Sequence, residues 1–107
     1  MEVTKELQND VLILGLAGNF VLGEFGDFLD KYQELSAGHL GTVAIDMRKV
    51  VRIDSSGIGD LIKCLQANSN LLLFGLTANV YNTFQLARLV DFFPILSTED
   101  FERKYMD

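Results

Sequence analysis

Three apolar runs constrain this chain more than any other feature. Val11 to Ala17, Thr42 to Met47 and Leu71 to Phe74 are continuously or almost continuously apolar. A strand with one wet face alternates apolar and polar residues, so runs of this kind imply strands covered on both faces. Between them the period changes. Val21, Leu22, Phe25, Phe28, Leu29, Tyr32 and Leu35 recur at three- and four-residue steps, with Asp27, Asp30, Lys31 and Glu34 mostly elsewhere on the wheel. That is the signature of an amphipathic helix, and Gly38 is a suitable stop. Ile58, Leu61, Ile62 and Leu65 mark a second helix. A third is expected over about Asn79 to Leu89, with Val80, Phe84 and Ala87 inward.

The ends complete the order. Glu2 to Leu7 reads as a short strand, and Gln8-Asn9-Asp10 as the turn of a hairpin, because Asn and Asp tolerate tight backbone angles. Phe93 to Leu96 reads as a last strand. Pro94 lacks an N–H, which sends that strand to an edge. Thr98, followed by Glu99 and Asp100, predicts an N-cap and a terminal helix to about Tyr105. Strand–helix repeats with right-handed crossovers make the later strands parallel. The expected class is α/β: a mixed, mostly parallel central sheet of about five strands with about four helices. The strand from Val43 to Met47 is expected at its centre. A length of 107 residues suits one domain over 1–107.

Composition removes several function classes. The net charge of −6 disfavours direct nucleic-acid binding. No apolar run reaches the roughly 18 residues of a membrane span. The opening Met1-Glu2-Val3-Thr4-Lys5-Glu6 lacks the basic-then-apolar order of a signal peptide. The single Cys64 cannot form an internal disulfide, which fits a reducing cytoplasm. His39 is the only histidine. With no cysteine pair beside it, a metal site is not expected.

The candidate site is Asp54-Ser55-Ser56-Gly57-Ile58-Gly59, at the junction of a strand and the second helix. Ser56 is suited to be the N-cap, accepting from one of the first free amides. Ile58, Leu61, Ile62 and Leu65 share one face, and Ser56, Asp60, Lys63 and Ala67 fall opposite. Gly57 and Gly59 leave the corner bare for a partner's approach. A phosphate on Ser56 would sit at the positive end of the helix dipole. The plainer reading is that Asp54, Ser55 and Ser56 only cap a helix. Enzymatic readings fail on spacing. Ile62 stands where a dinucleotide fingerprint needs its third glycine, no nucleophile elbow precedes either serine, and no P-loop is present. No cofactor is expected.

From Val43-Ala44-Ile45-Asp46 through Val51-Arg52-Ile53-Asp54-Ser55-Ser56-Gly57-Ile58-Gly59, the chain resembles the STAS-domain family of bacterial anti-sigma factor antagonists. The downstream order, with Leu71-Leu72-Leu73-Phe74-Gly75-Leu76 and then Phe93-Pro94-Ile95-Leu96-Ser97-Thr98-Glu99-Asp100, is similar too. The resemblance implies a single STAS-like domain and a non-enzymatic, phospho-regulated switch. It makes Ser56 the phosphorylated residue and Asp54 the acid that positions the site for the kinase. The implied partner is an anti-sigma factor that is also a serine kinase, bound by the unphosphorylated form so that a sigma factor is freed. A serine phosphatase would reset the switch. Asp54, Ser55, Gly57, Ile58 and Gly59, with Asn19 and Phe20 from the loop after the second strand, are the implied partner contacts. The alternative is an accessory STAS subunit of a lipid or other membrane transporter, which binds its ATPase without phosphorylation.

Other residues keep two readings. Phe20 and Val21 either extend an apolar contact patch or staple the start of the first helix. Asp46 either orders the loop holding Ser56 or is a solvated acid at a strand end. Arg48, Lys49 and Arg52 are either a counter-charge beside the site or an ordinary solvated loop.

Overall fold

In the computed structural model, which describes every residue except Phe25, the strands are β1 (Glu2–Gln8), β2 (Val11–Phe20), β3 (Val43–Ile53), β4 (Leu71–Phe74) and β5 (Ile95–Leu96). The helices are α1 (Phe28–Ser36), α2 (Ser55–Ala67), α3 (Ala78–Leu86) and α4 (Thr98–Phe101), which runs on into a π-helical turn, Glu102–Met106. The sheet order is β1-β2-β3-β4-β5. The β1–β2 pair is antiparallel and the other three pairs are parallel, so the mixed sheet expected from the apolar runs is present with β3 at its centre. The hairpin turn holds Asn9 and Asp10 at φ of 51° and 66°, the left-handed region these residues tolerate.

Alternate residues of each strand serve two cores. Leu12, Leu14, Leu16, Val43, Ile45, Leu71 and Leu73 meet Phe28 and Tyr32 of α1, Ile58, Leu61 and Cys64 of α2, and Val80 and Phe84 of α3. On the other face Val11, Ile13, Ala44, Leu72 and Phe74 meet Phe101. Phe101 stacks on Phe74 at 3.9 Å between ring centroids. Three helices therefore cover one face, and only α4 with its π turn covers the other.

β3 is longer than the sequence predicts. It runs on past Met47 to Ile53, where a loop holding Arg48, Lys49 and Arg52 was expected. The pairing shifts from Gly15↔Asp46 to Ala17↔Lys49, and from Gly18↔Val50 to Asn19↔Arg52. At each shift β3 advances one residue more than β2, which is a β-bulge. Two bulges convert the two-residue alternation of a strand into three-residue spacing, so Met47, Val50 and Ile53 all reach the same core. This is why the stretch does not read as a strand.

The first helix is shorter than its pattern. Val21 and Leu22 precede it, Phe25, expected within it, lies outside the described residues, and Asp27 is the N-cap. Gly23 and Gly26 adopt φ of 89° and 64°, which no helix continues through. In α3 the helix starts at Ala78 behind a Thr77 cap and ends at Leu86. The terminal helix is capped by Ser97, one residue before the expected Thr98. The last strand contracts to Ile95–Leu96, and it is an edge strand as Pro94 requires.

Candidate functional site

The C-terminal end of β3 and the N-terminal end of α2 meet at Asp54. β3 closes on the Phe20↔Ile53 pair, and the Asp54 amide donates to the Phe20 carbonyl at 3.3 Å. Asp54 is extended, with φ −117° and ψ −174°, and caps α2. One carboxylate oxygen accepts from the Gly57 amide at 3.1 Å, and the other accepts from the Leu22 amide at 3.0 Å. One side chain thus caps the helix and holds the loop after β2. The Leu22 amide, with the capping amides behind it, holds the Asp54 carboxyl below the usual carboxylate range.

This corrects the expectation that Ser56 is the cap. Ser55 and Ser56 are the first two residues of the helix itself. Ser55 is exposed and Ser56 half-buried, and the Ser56 hydroxyl has no hydrogen-bond partner among the described residues. It opens into a shallow depression with Leu22, Gly26, Asp27, Gly59, Asp60 and Lys63. The surroundings are more acidic than basic. Partial burial raises the Asp60 carboxyl above its ordinary value, and Asp27 adds to this while Lys63 opposes it.

The two glycines have opposite roles. A Cβ on Gly57 would strike the Phe20 carbonyl oxygen and lie 2.5 Å from Phe20 Cδ1 and 2.9 Å from Ile53 Cγ1. Gly57 is buried and lets α2 approach the end of β2. A Cβ on Gly59 would meet nothing within 4 Å, so Gly59 alone leaves the corner bare. Ile58 and Phe20 also point inward. Phe20 meets the Phe28 ring edge-on at 4.9 Å, which places it as a staple under α1 rather than on a contact patch. Asn19 is half-buried near the end of β2. Of the residues singled out in the sequence, Ser55, Ser56, Gly59 and part of Asp54 face outward, whereas Phe20, Gly57 and Ile58 shape the site from beneath.

Leu22 was not singled out as a contact, yet it is 76% exposed with its amide fixed by Asp54. Its helical spacing hid it. Only the two glycines that follow hinted that the helix had not yet begun.

Arg48 is drawn away from the basic cluster. Arg48 forms a two-pronged pair with Asp46 on the opposite face of the sheet, at 3.0 and 2.8 Å, and lies over the Phe74 ring. Asp46 therefore orders Arg48 rather than the Ser56 loop. The two line a groove with Glu6, Ile13 and Phe101 that shares no residue with the Ser56 depression. Among the described residues no group of acids, histidines and cysteines is placed to hold a metal, and no helix is long and apolar enough to cross a membrane.

Residues 3–97 match the family model of the Mlab STAS domain. No curated protein sequence matches the chain. Four solved structures share the fold. A candidate anti-sigma factor antagonist from Thermotoga maritima is 16% identical, with 98% of this chain and 95% of that one covered at a TM-score of 0.80. The anti-sigma factor antagonist SpoIIAA in its unphosphorylated form is 16% identical, with 95% of each chain covered at 0.74. The Bacillus SpoIIAA in its phosphorylated form gives 17%, 95%, 98% and 0.64 in the same order. A sulfate transporter family protein from Wolinella succinogenes is 20% identical, with 89% and 84% covered at 0.66. The chain belongs to the STAS-domain family.

Proposed function

We propose that this STAS-domain chain is a phospho-regulated binding switch of the anti-sigma factor antagonist type, with Ser56 as its modified residue and no catalysis of its own. The observation that carries the reading is the division of labour at the start of α2. Asp54 takes the capping duty, which leaves the Ser56 hydroxyl unengaged on a helix whose frame is already fixed. A serine needed only as a cap would not be left over in this way. The likeness in fold to SpoIIAA, which exists in phosphorylated and unphosphorylated forms, supports the same reading.

The partner is a serine kinase that doubles as an anti-sigma factor, bound by the unphosphorylated form, and a serine phosphatase restores that form. All of this takes place in the cytoplasm. Leu22 supplies an apolar contact beside Ser56, and Ser55, Gly59 and Asn19 supply the rim. The phosphate does not occupy a free amide cradle, because Asp54 already fills it. It enters the depression between Asp27 and Asp60, with Lys63 as the one cation among the described residues lining it. A second reading, an accessory subunit that binds a transporter's ATPase without phosphorylation, has in its favour the shared fold of the sulfate transporter family protein.

One experiment separates them. Each serine kinase of the anti-sigma type encoded in the source genome is incubated with ATP and the protein, and intact mass is measured. One added phosphate, lost in Ser56→Ala, is expected. No modification by any of them, or a phosphate mapped to another residue, would count against the switch. Ser56→Asp should weaken kinase binding with little change in thermal midpoint. The reason is that the favourable helix-terminus interaction of about 0.3–1 kcal/mol offsets a like-charge i,i+4 pair of about 0.2–0.5 kcal/mol with Asp60.

A further inference from the structure

From Cys64 through Ala87 the chain carries no charged residue, although it has 9 Lys and Arg and 15 Asp and Glu elsewhere. Part of that stretch is β4, which is buried. The rest brings α3 to the surface with an outer face of Ala78, Asn79, Tyr81, Asn82, Gln85 and Leu86. Leu86 is 79% exposed. The helix is held rigidly: Thr77 caps it, Val80 and Phe84 anchor it in the core, and the Asn79 side-chain amide donates to the Val51 carbonyl at 3.0 Å. Charge-depleted faces carrying tyrosine and amides match the centre of protein interfaces and not ordinary surface.

We infer that this face of α3 pairs with the same face of a second copy of the chain in an antiparallel, two-fold dimer. Two observations select a copy of itself over a foreign partner. The first is charge. A two-fold axis brings like patch against like patch, so any net charge on the pairing face would meet its own copy. The α3 face brings none. The second is sequence symmetry about Asn82. An antiparallel helix pair centred there sets Ala78 opposite Leu86, a small residue against a large exposed one. It sets Asn79, whose amide nitrogen is already tied to the Val51 carbonyl, opposite Gln85, and Asn82 opposite itself, so that uncharged polar groups meet. Of the six outward positions, 78, 79, 82, 85 and 86 map onto one another and Tyr81 falls opposite the half-buried Thr83 at the edge, while Val80 and Phe84 stay in the core. A pair of nine-residue helices covers less than the roughly 1,200 Å² of a stable interface, so a weak dimer is expected, with half-association on the order of 10 µM. Added salt should strengthen it, because screening reduces the repulsion between the two acidic chains.

The test uses the purified chain alone. Sedimentation equilibrium across about 1 to 300 µM, a range bracketing that affinity, should show the mass rising from the 12.0 kDa of one chain toward twice that value. Leu86→Lys should hold it at one chain with an unchanged circular dichroism spectrum. Asn82→Cys should form a disulfide-linked dimer under mild oxidation at least tenfold faster than Gln66→Cys on the exposed side of α2, and the buried Cys64 should stay out of the reaction. A monomer at every concentration would overturn the inference. So would a Leu86→Lys protein that dimerises like the parent, or equal cross-linking of the two cysteine variants. If Leu86→Lys fails to fold, the cysteine comparison decides. A monomer that instead loses kinase binding through Leu86→Lys would assign the face to another protein. None of these outcomes depends on Ser56 being phosphorylated.

Discussion

Gly57 and Gly59 sit two residues apart in α2, and replacing each by alanine should move stability in opposite directions. Both substitutions gain intrinsic helix preference, by up to about 1 kcal/mol. At Gly59 nothing opposes that gain, because the added methyl enters open space. At Gly57 the methyl runs into the Phe20 carbonyl oxygen, the Phe20 ring and Ile53. The carbonyl is backbone within β2 and paired in the sheet, so it cannot swing aside as a side-chain end would. Overpacking of this kind costs about 1–3 kcal/mol, and a backbone clash joined by two side-chain ones belongs at the upper end, about 2–3 kcal/mol, which leaves Gly57→Ala net destabilised by about 1–2 kcal/mol once the helix gain is subtracted. Gly59→Ala should be stabilised by about 0.5–1 kcal/mol. For a domain of this size that separates the thermal midpoints by very roughly 10 °C. Urea unfolding of the two variants and the parent, analysed at a common slope, measures the free energies directly. The same displacement should loosen the Asp54 contact with Leu22, since the Asp54 amide donates to the Phe20 carbonyl. Hydrogen exchange at Leu22 should therefore quicken in Gly57→Ala and not in Gly59→Ala. Two variants shifted in the same direction, or Gly57→Ala at parental stability, would refute the close approach of α2 to β2.

Asp54→Asn should lower stability most at neutral pH. The Asp54 carboxyl is depressed by the amides it accepts, so its contribution is present above the unfolded value of about 3.9 and is lost as pH falls through the folded value. Thermal midpoints of the two proteins should converge on acidification below about pH 4, and a gap that persists at lower pH would sink the argument. Burial pushes the Cys64 thiol up to about 12. A thiol reagent at mildly alkaline pH should therefore label it only as fast as the protein opens, and immediate labelling of the folded chain would contradict its place in the core. Arg48→Ala should cost no more than about 1 kcal/mol, because the pair with Asp46 is largely exposed on the arginine side. It should also leave the phosphorylation proposed at Ser56 unchanged; a large drop in that rate would place Arg48 at the site after all.

The parts of the fold that were legible in the sequence are those set by burial on both faces. Val11–Ala17, Val43–Met47 and Leu71–Phe74 announce themselves because a parallel sheet between layers tolerates few polar residues. What was not legible depends on contacts between distant segments. Arg48, Lys49 and Arg52 look like a loop because two bulges break the alternation of β3, and a bulge is recognised only against its partner strand. Val21 and Leu22 extend the helical period of α1 in sequence, yet Gly23 and Gly26 turn the chain before the helix starts. At the site, the Asp-Ser-Ser-Gly run located the helix start to within a residue but misassigned its cap. Serine and aspartate both cap helices well. The choice fell to Asp54 because its second oxygen also reaches the Leu22 amide, thirty-two positions away in the chain.

That second contact bears on how a phosphate could switch binding without unfolding the domain. In the free protein, phosphoserine at position 56 would face Asp27 and Asp60 across a wet depression. Water keeps such like-charge contacts to a few tenths of a kcal/mol each, which the helix terminus can offset. A partner seated on Leu22 and the α2 corner removes that water. Near a protein surface the effective dielectric falls toward about 20, and two like charges about 6 Å apart then repel by about 3 kcal/mol. That is roughly a hundredfold in affinity, and Lys63 alone cannot neutralise a group carrying about −1.5 to −2 charges beside two carboxylates. The cost arises only in the complex. Nothing in the domain has to move, because Asp54 holds the Leu22 loop and caps the helix in either state.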